Sequence, residues 1–466
     1  MMMKMKISKT IMIKLIIRKI VQKMQYNYFP QTEQEIQEML RKIGVEKLED
    51  LYADIPESIR FKGDYDIPEA QSETEIRTLL SNLGSMNMPL VCFAGAGTYD
   101  HYTPAVIPSI IQRSEFLTSY TPYQAEISQG TLHYIFEFQS MMTELTGMDI
   151  SNASMYDGAT ATAEAVMMAF AAGKKCTKVL VSETLDPKVR RVVDTYAKFQ
   201  SIEIVGIKAS NGTTDKDEMK RLLEEGGVAG VVVQAPNYFG IIEDFSGMAD
   251  CIHEHKALFI INSNPADLAI LKTPREWGAD IAVGDGQSLG IPMNFGGPGV
   301  GYMCCTEKLM RKMPGRIVGK TVDQDGRRAF VLTLQAREQH IRRQKATSNI
   351  CSNQSLMALF VTIYLSLMGK QGLKEAAELS YAGAHYLCDQ LVATGHFRLT
   401  YNQPFFNEFC IDYDGDLDKL MEYCTDSGYM AGVKVGEHTL MLAVTEQRSK
   451  EEIDDLTEIM KGGAEL

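Results

Sequence analysis

The chain has 466 residues, of which 45% are hydrophobic and 23% charged, and its formal net charge is −13. This length and composition suffice for one large domain and a smaller one with a sizeable core, which excludes a peptide module and a disordered chain. Because the first 23 residues carry seven Lys or Arg and no acid, the remainder has a net charge of −20, which argues against a nucleic-acid partner.

The cysteines and histidines carry no metal or disulfide pattern. Nine cysteines are scattered without a C-x-x-C pair, and Cys304 and Cys305 lie in an apolar, strand-like run. We therefore expect reduced thiols, a reducing compartment and a cytoplasmic location. His253 and His255 are two positions apart, which on a helix places them on different faces, so we expect no metal site.

Segment 1–23 is a basic stretch ahead of Met24. Lysines interrupt its apolar residues too often for a signal-peptide core or a spanning helix. We interpret it as a dispensable leader before a natural start at Met24, with a basic amphipathic membrane anchor as the alternative.

Residues 24–120 are expected to form an N-terminal arm of helices and loops. Thr32 and Glu35 have the spacing of a capping box for a helix over 33–43. Prolines recur through the rest of the arm, and such an arm packs on a neighbour or across its own domain.

Residues 121–355 are predicted to form a large α/β domain, because short apolar runs alternate with helical periods, as in a parallel sheet covered by helices. The predicted strands are 179–181, 202–207, 228–233, 257–261, 281–283 and 300–304. The predicted helices between them are 188–199, 216–224 and 245–255.

The segment 121–149 carries the first specific motif. Its later part has the apolar periodicity of a core helix, but its head, Tyr-Thr-Pro-Tyr-Gln and then Glu-Ile-Ser-Gln-Gly, has no generic structural reason to occur. It resembles the glycine decarboxylase P proteins of the glycine cleavage system, and the resemblance continues from about Glu33 to the C-terminus. The resemblance implies a fold-type-I pyridoxal-phosphate transferase architecture.

Gly158-Ala159-Thr160 opens the next helix. Free amides at a helix N-terminus suit a phosphate, although an ordinary helix cap explains the same residues equally well. The resemblance implies that the corresponding turn holds the phosphate of pyridoxal phosphate in this family.

The segment 280–301, DIAVGDGQSLGIPMNFGGPGVG, is the decisive one. The resemblance implies a His-Lys-Thr before the glycine-rich run, with the lysine forming the bond to the cofactor. The lysine position falls on Gln287 when counted from one end and on Ser288 when counted from the other. Neither residue forms an imine, and no lysine occurs between Lys272 and Lys308. No catalytic residue is therefore assigned.

A second cofactor group is missing as well. A carboxylate at the end of a sheet strand keeps the cofactor's pyridine nitrogen protonated, but the matching strand here runs into Asn262. Losing both groups together indicates the α-type, lysine-less branch of the family.

The segment 337–354 places Arg337, Arg342, Arg343 and Lys345 within nine positions and then turns small and polar. A solvated basic helix end is one interpretation. The resemblance favours another, in which this stretch crosses a subunit interface and Thr347, with Ser348 and Asn349 nearby, binds the phosphate of the partner's cofactor. Hydroxyl and amide donors beside guanidinium groups suit a dianion.

Arg316, in the family-like stretch 313–319, is either a further anion contact or a turn residue paired with a surface acid.

Residues 356–466 are predicted to form a small C-terminal α/β domain. Helices are expected over 356–368 and 373–391. Two strands, a helix, two more strands and a last helix are expected after them. Strands are expected over 396–401, 406–413, 431–435 and 439–444.

As the resemblance implies, a β-type second subunit carries pyridoxal phosphate, and the two chains assemble as α2β2. The complex decarboxylates glycine and passes the aminomethyl group to the lipoyl group of the H protein. We expect neither a nucleic-acid partner nor a membrane partner. Two alternatives remain: a scaffold that only docks the H protein and stabilises its partner, and a stand-alone enzyme in which Lys272, Lys308 or Lys345 reaches the cofactor.

We predict that removing residues 1–23 leaves folding and pairing intact, because seven cations spaced among apolar residues offer neither a core face nor a spanning segment. A chain that starts at Met24 is compared with the full chain by circular dichroism and by co-purification with the second subunit. Loss of folding or pairing would show that the segment is part of the mature structure.

Overall fold

A computed structural model of the chain describes residues 30–63, 65–173, 175–346 and 348–465. The chain forms two compact units, Met1–Met86 and Asn87–Leu466. Segment 1–23 and Thr347, both singled out above, lie outside the described residues.

The described part of the first unit contains two capped helices, α1 (Glu33–Ile43) and α2 (Glu73–Gly84). The predicted capping box is confirmed, since Thr32 N–H donates to Glu35 at 2.7 Å and Glu35 N–H donates to the Thr32 hydroxyl at 3.3 Å. Within the described residues of this unit only Leu40 is buried. The apolar face of α2 is exposed at four positions: Ile76, Leu79, Leu80 and Leu83.

The second unit contains a large α/β part followed by a small one. The unit begins with β1 (Val91–Cys92), which pairs with Tyr429–Met430 of the small part. The large part consists of α3 (Val106–Ile111), α4 (Ser114–Leu117), α5 (Gln129–Thr146), β2 (Ile150–Ser151), α6 (Gly158–Ala172), β3 (Lys178–Ser182), α7 (Pro187–Phe199), β4 (Glu203–Ile207), β5 (Ala209–Ser210), β6 (Thr213–Thr214), α8 (Lys216–Glu224), β7 (Val228–Ala235), α9 (Met248–Glu254), β8 (Leu258–Ser263), β9 (Ile281–Asp285), β10 (Gly301–Cys305), β11 (Ile317–Val322), β12 (Arg328–Thr333) and α10 (Gln339–Arg342). The small part consists of α11 (Ser355–Ala393), β13 (Phe397–Leu399), β14 (Glu408–Tyr413), α12 (Leu417–Asp426), β15 (Tyr429–Met430), β16 (Val433–Lys434), β17 (Thr439–Ala443) and α13 (Lys450–Ala464).

A seven-stranded sheet of order β2-β10-β9-β8-β7-β3-β4 forms the centre of the large part. The five strands β9, β8, β7, β3 and β4 are parallel to one another, and β10 pairs antiparallel with β9 and β2. Successive strand residues point to opposite faces. Val179 and Val181 therefore pack with α6 and α7, whereas Leu180 packs with α8 and α9. The predicted doubly wound architecture is confirmed.

The hairpin β11–β12 was not predicted from the sequence. Two glutamines of α5 fix it by pairing with both backbone groups of one residue in each strand. Gln139 bonds the N–H and C=O of Val318 at 2.9 and 3.0 Å, and Gln129 bonds those of Phe330, both at 2.9 Å. The turn between the two strands is local, since the Asp323 side chain accepts from Asp325 N–H at 2.9 Å and from Arg327 N–H at 2.8 Å. The glutamine contacts join the hairpin to α5.

The small part has a four-stranded antiparallel sheet of order β13-β14-β17-β16, which α11, α12 and α13 cover. Gly369 interrupts α11 with φ 58°, so this long element is two consecutive helices, as predicted. Its first half packs against the large sheet's core and its second half against the small sheet. Helix α9 is shorter than predicted, because Gly247, with φ 77°, precedes its first turn.

Candidate functional site

A cavity of about 260 Å³ lies at the carboxyl edge of the large sheet. In an open parallel sheet, this edge is where the ends of neighbouring strands meet and where ligands bind. The cavity is lined by the ends of β7, β8 and β9, the first turns of α6 and α7, a loop over Gly97–Tyr99 and the start of β14.

Gln287 and Ser288, at the position expected for a lysine, both line this cavity and are buried. The Gln287 amide accepts from Tyr99 N–H at 2.9 Å and donates to the carbonyls of Tyr99 at 2.8 Å and Ile291 at 2.7 Å. Ser288 donates to the Asn264 side chain. Gln287 therefore joins the Tyr99 loop to the turn after β9, a structural role in place of a chemical one.

Asn262, at the end of β8, also lines the cavity and is buried. Its side-chain N–H donates to the Thr162 hydroxyl on α6 at 2.9 Å. A neutral amide at this position supplies no charge to a pyridine nitrogen.

The first turn of α6 is occupied by carboxylates of the chain itself. The Asp157 side chain caps the helix by accepting from Thr160 N–H at 2.7 Å, and the Asp285 side chain accepts from Gly158 N–H at 2.8 Å. A Cβ at position 158 would lie 2.7 Å from the Asp285 nitrogen, so glycine is required there. Of the two interpretations of Gly158-Ala159-Thr160, the structure shows the helix cap.

The cavity is acidic. Five carboxyl groups line it, those of Asp157, Asp186, Asp267, Asp285 and Glu408, and Lys188 is the one Lys or Arg among its lining residues in the described ranges. Burial raises the pKa of Asp285 to about 6 and that of Glu408 to about 7, and it raises the pKa of Asp267 well above its usual value. Burial also makes charge more expensive, so a phosphate dianion is disfavoured here.

Lys188 is a cavity residue that the sequence analysis missed. Its ammonium donates to the Ala96 carbonyl and lies 3.7 Å from the Asp186 carboxylate. It follows Asp186-Pro187 at the start of α7, directly beyond the end of β3. Its place at the start of the helix that follows a strand of the parallel sheet was the feature of the sequence that could have identified it.

The residues of this cavity do not fit pyridoxal phosphate. The lysine and the ring-charging carboxylate are both absent from the positions that match the family, and carboxylates take the amides where the phosphate is expected. The lysines proposed as substitutes do not line it either. Lys272 lies over the Trp277 ring at 4.3 Å, Lys308 is exposed, and Lys345 lines a second cavity.

The second cavity, of about 640 Å³, is lined by residues of α6, α7 and the segment 339–349, including Ser348 and Asn349. Neither Ser348 nor Asn349 lines the first cavity. We call Ser348–Gln354 the strap. Its Gln354 N–H donates to the Ser154 hydroxyl at 3.0 Å, and its Asn353 side chain donates to the Ala153 carbonyl at 3.2 Å.

The four basic residues of the segment 337–345 separate into two groups. Arg337 is partly buried and donates to the carbonyls of Met313, Leu334 and Gly315, so it stabilises the turn before β11. Arg342, Arg343 and Lys345 are exposed, and the last two lie at the second cavity.

Arg316 is buried, with 3% of its surface exposed. Its guanidinium donates to the hydroxyls of Ser352 and Tyr123, both at 3.1 Å, and lies over the Tyr123 ring at 5.2 Å. Among the residues that the structure describes, no carboxylate lies within 4 Å of it. The interpretation of Arg316 as a turn residue paired with a surface acid is therefore wrong, and it anchors the strap instead.

The model of the glycine cleavage system P-protein family matches residues 26–460 of this chain. The probable glycine dehydrogenase (decarboxylating) subunit 1 of Bacillus cereus (strain B4264) is 50% identical over 446 residues, which cover 94% of this chain and 99% of that protein. Its counterpart in Bacillus mycoides (strain KBAB4) is 49% identical over the same shares of the two chains.

Among solved structures, the inhibitor-bound glycine decarboxylase (P-protein) of the glycine cleavage system superposes with a TM-score of 0.87 at 42% identity, covering 94% of this chain and all of that one. A sphingosine-1-phosphate lyase from Burkholderia pseudomallei superposes with a TM-score of 0.64 at 13% identity, covering 88% of this chain and 94% of that one, which shows the fold alone. The fold-type-I transferase architecture is confirmed.

Restoring a lysine at the family position should not restore cofactor binding. In Gln287→Lys, the amides of Gly158 and Thr160 remain occupied by carboxylates. The two hydrogen bonds to Tyr99 and the one to the Ile291 carbonyl are lost. After incubation with pyridoxal phosphate and gel filtration, we expect no absorbance band at wavelengths longer than that of the protein itself. We also expect the variant to have a lower melting temperature than wild type. Gln324→Lys, in the exposed turn between β11 and β12, is the matched control. A stable coloured adduct on Gln287→Lys would show that the missing lysine alone prevents binding.

Proposed function

This chain belongs to the glycine cleavage system P-protein family, and from that premise we propose that it is the lysine-less subunit that completes the active site of a homologous, lysine-bearing partner. It is a subunit of a glycine dehydrogenase (decarboxylating), as its relatives are named. The proposal rests on the first cavity. It lies where this fold binds its ligand, but its residues do not fit the cofactor. On this proposal the chain is inactive alone.

The cofactor is pyridoxal phosphate bound covalently by the second, β-type subunit. When bound there, it supplies the electron sink that decarboxylation of glycine requires. The complex transfers the aminomethyl group to the lipoyl group of the H protein. This chain's own contribution is positional: Thr347 provides a hydroxyl donor to the phosphate of the partner's cofactor, and Ser348 and Asn349 provide amide donors.

The contacts that hold the strap support this assignment of roles to the two subunits. Ser348 and Asn349 lie at a cavity separate from the chain's own ligand position, and several side chains of the large part hold the strap. Exposed basic side chains, Arg343 and Lys345, lie beside it and favour an anion.

The exposed apolar face of α2 supports an obligate partner. Contiguous exposed apolar surface in a water-soluble protein marks an interaction site, and Leu79, Leu80 and Leu83 are each at least half exposed. We propose that the partner covers this face and that two such pairs form α2β2. None of the nine cysteines, all of which lie in the described residues, forms a disulfide, which agrees with the proposed cytoplasmic location.

The isolated chain should be colourless and inactive, because Gln287, Ser288 and Asn262 replace the groups that bind and charge the cofactor. Borohydride reduction in the presence of pyridoxal phosphate, followed by mass analysis of tryptic peptides, should find the pyridoxyl group on the partner only. A site-specific adduct at Lys188 or another lysine of this chain would instead support a stand-alone enzyme.

Thr347→Ala should weaken the binding of pyridoxal phosphate by the complex about ten- to a hundred-fold. A hydrogen bond to a charged group contributes roughly 1.5–3 kcal/mol, and a decade of affinity corresponds to roughly 1.4 kcal/mol. The measurement is a titration of the apo complex with pyridoxal phosphate, with assembly checked by gel filtration.

Thr425→Ala is the matched control, because Thr425 is exposed on α12 and its hydroxyl bonds the Met421 carbonyl of the same helix. Unchanged affinity of Thr347→Ala with intact assembly would favour the scaffold alternative, in which this chain contributes nothing to the cofactor. Loss of assembly would make Thr347 an interface residue without a cofactor role.

A further inference from the structure

Glu164 is a buried acid in the middle of α6, with 2% of its surface exposed. Its helix neighbours Ala163, Ala165 and Met168 are fully buried in the apolar core between α6 and the sheet. A carboxyl group in such a position is costly unless it is hydrogen-bonded. No group of the first cavity explains its presence, since Glu164 does not line that cavity.

The hydrogen-bond partner of Glu164 is the first residue of the strap. The Ser348 hydroxyl donates to Glu164 Oε1 at 2.7 Å, and the same hydroxyl oxygen accepts from Ile350 N–H at 3.1 Å. A single side chain thus connects the buried acid to the backbone turn of the strap. Glu164 Oε2 is buried and has no hydrogen-bond partner within the described ranges.

The surroundings of Glu164 hold few charges. It lines the second cavity with Tyr196 of α7, with apolar side chains of α6 and α7, and with the exposed Arg343 and Lys345 of the preceding segment. Neither basic residue forms an ion pair with it within 4 Å. Burial raises the pKa of Glu164 to about 7, and the Ser348 bond opposes part of that shift. Glu164 in turn contributes to a raised pKa of Tyr196, after burial.

We propose that Glu164 is a positioning residue, whose ionised carboxylate holds Ser348 and the strap in the arrangement that serves the partner's cofactor, and whose protonation loosens that hold. The proposal rests on the proposed function above. A hydrogen bond to an ionised acceptor is roughly twice as strong as one to a neutral group. The neutral carboxyl accepts only the weaker of these bonds, so protonation weakens the contact with Ser348.

The effect of pH on the fold has the opposite sign. The pKa of Glu164 in the folded chain lies above its ordinary value of 4.5, so the folded state binds this proton more tightly than the unfolded state. The contribution of Glu164 to stability is therefore greatest at low pH and decreases as the pH rises from the ordinary value to about 7. Cofactor affinity is expected to rise over the upper part of that range while stability falls. A residue that is merely structural would change both in the same direction.

The test compares wild type with Glu164→Gln in the assembled complex. Glutamine keeps the shape and can still accept from Ser348, but it stays neutral. At about one pH unit above 7 we expect the affinity for pyridoxal phosphate to fall roughly three- to ten-fold in the variant, because a charged bond becomes a neutral one. At about one unit below 7, wild type and variant should converge. The variant should also melt at a higher temperature than wild type at the higher pH.

Ser348→Ala provides the second arm. If Glu164 acts through Ser348, the double variant should lose no more affinity at the higher pH than Ser348→Ala alone, because Glu164→Gln then has no remaining contact to weaken. Additive losses would show that Glu164 acts by another route and would overturn the proposal. An unchanged difference between wild type and Glu164→Gln across the pH range would overturn it as well.

Thr347→Ala distinguishes the failure of this proposal from the failure of the proposed function. If Thr347→Ala weakens cofactor binding while Glu164→Gln has no pH-dependent effect, only the role of Glu164 is wrong. If neither variant changes the affinity, the strap does not serve the cofactor and both proposals fail.

Discussion

The close approach of α6 to β9 is the constraint on which both cavities depend. Only glycine at position 158 allows the contact, because any Cβ there would collide with the Asp285 backbone. Small residues at 161, 163 and 165 keep the helix against the sheet beyond that point. With a rise of about 1.5 Å per residue, Glu164 lies roughly 9 Å along the same rigid axis from Gly158. One helix thus fixes the first turn at the acidic cavity and the buried acid beneath the strap.

The residues that replaced the cofactor groups are integrated into the fold. Gln287 holds the Tyr99 loop through two hydrogen bonds and the turn after β9 through a third, and Asn262 joins β8 to α6. A ligand position at the edge of a parallel sheet is a gap between strand ends that needs polar partners. In this chain the protein's own amides and carboxyls bridge the gap, and the layer architecture of the fold is kept.

Much of the fold follows from the sequence, because the strands of a parallel sheet are continuous apolar runs and the capping boxes are local. The absence of the lysine and of the ring-charging carboxylate can likewise be predicted from the sequence, at Gln287 and Asn262. The hairpin β11–β12 was missed although Asp325-Gly326 lies between its strands as a turn signal, and the glutamines that join it to α5 are far away in the sequence. Lys188 and Glu164 were missed for a related reason. A lysine at a helix start and a glutamate inside a helix look like ordinary surface residues until the packing shows one at a cavity and the other in the core.

The uncovered face of α2 bears on how much of this chain a cell can maintain. A row of exposed leucines on a helix that buries none of its own residues is a surface that chaperones and proteases recognise. A partner that binds only the folded chain stabilises it by mass action, in proportion to the partner's concentration. Under the proposed pairing, copies made in excess of the partner would lack that stabilisation and would be degraded first. Turnover of unpaired copies would then balance the amounts of the two chains even if their rates of synthesis differed.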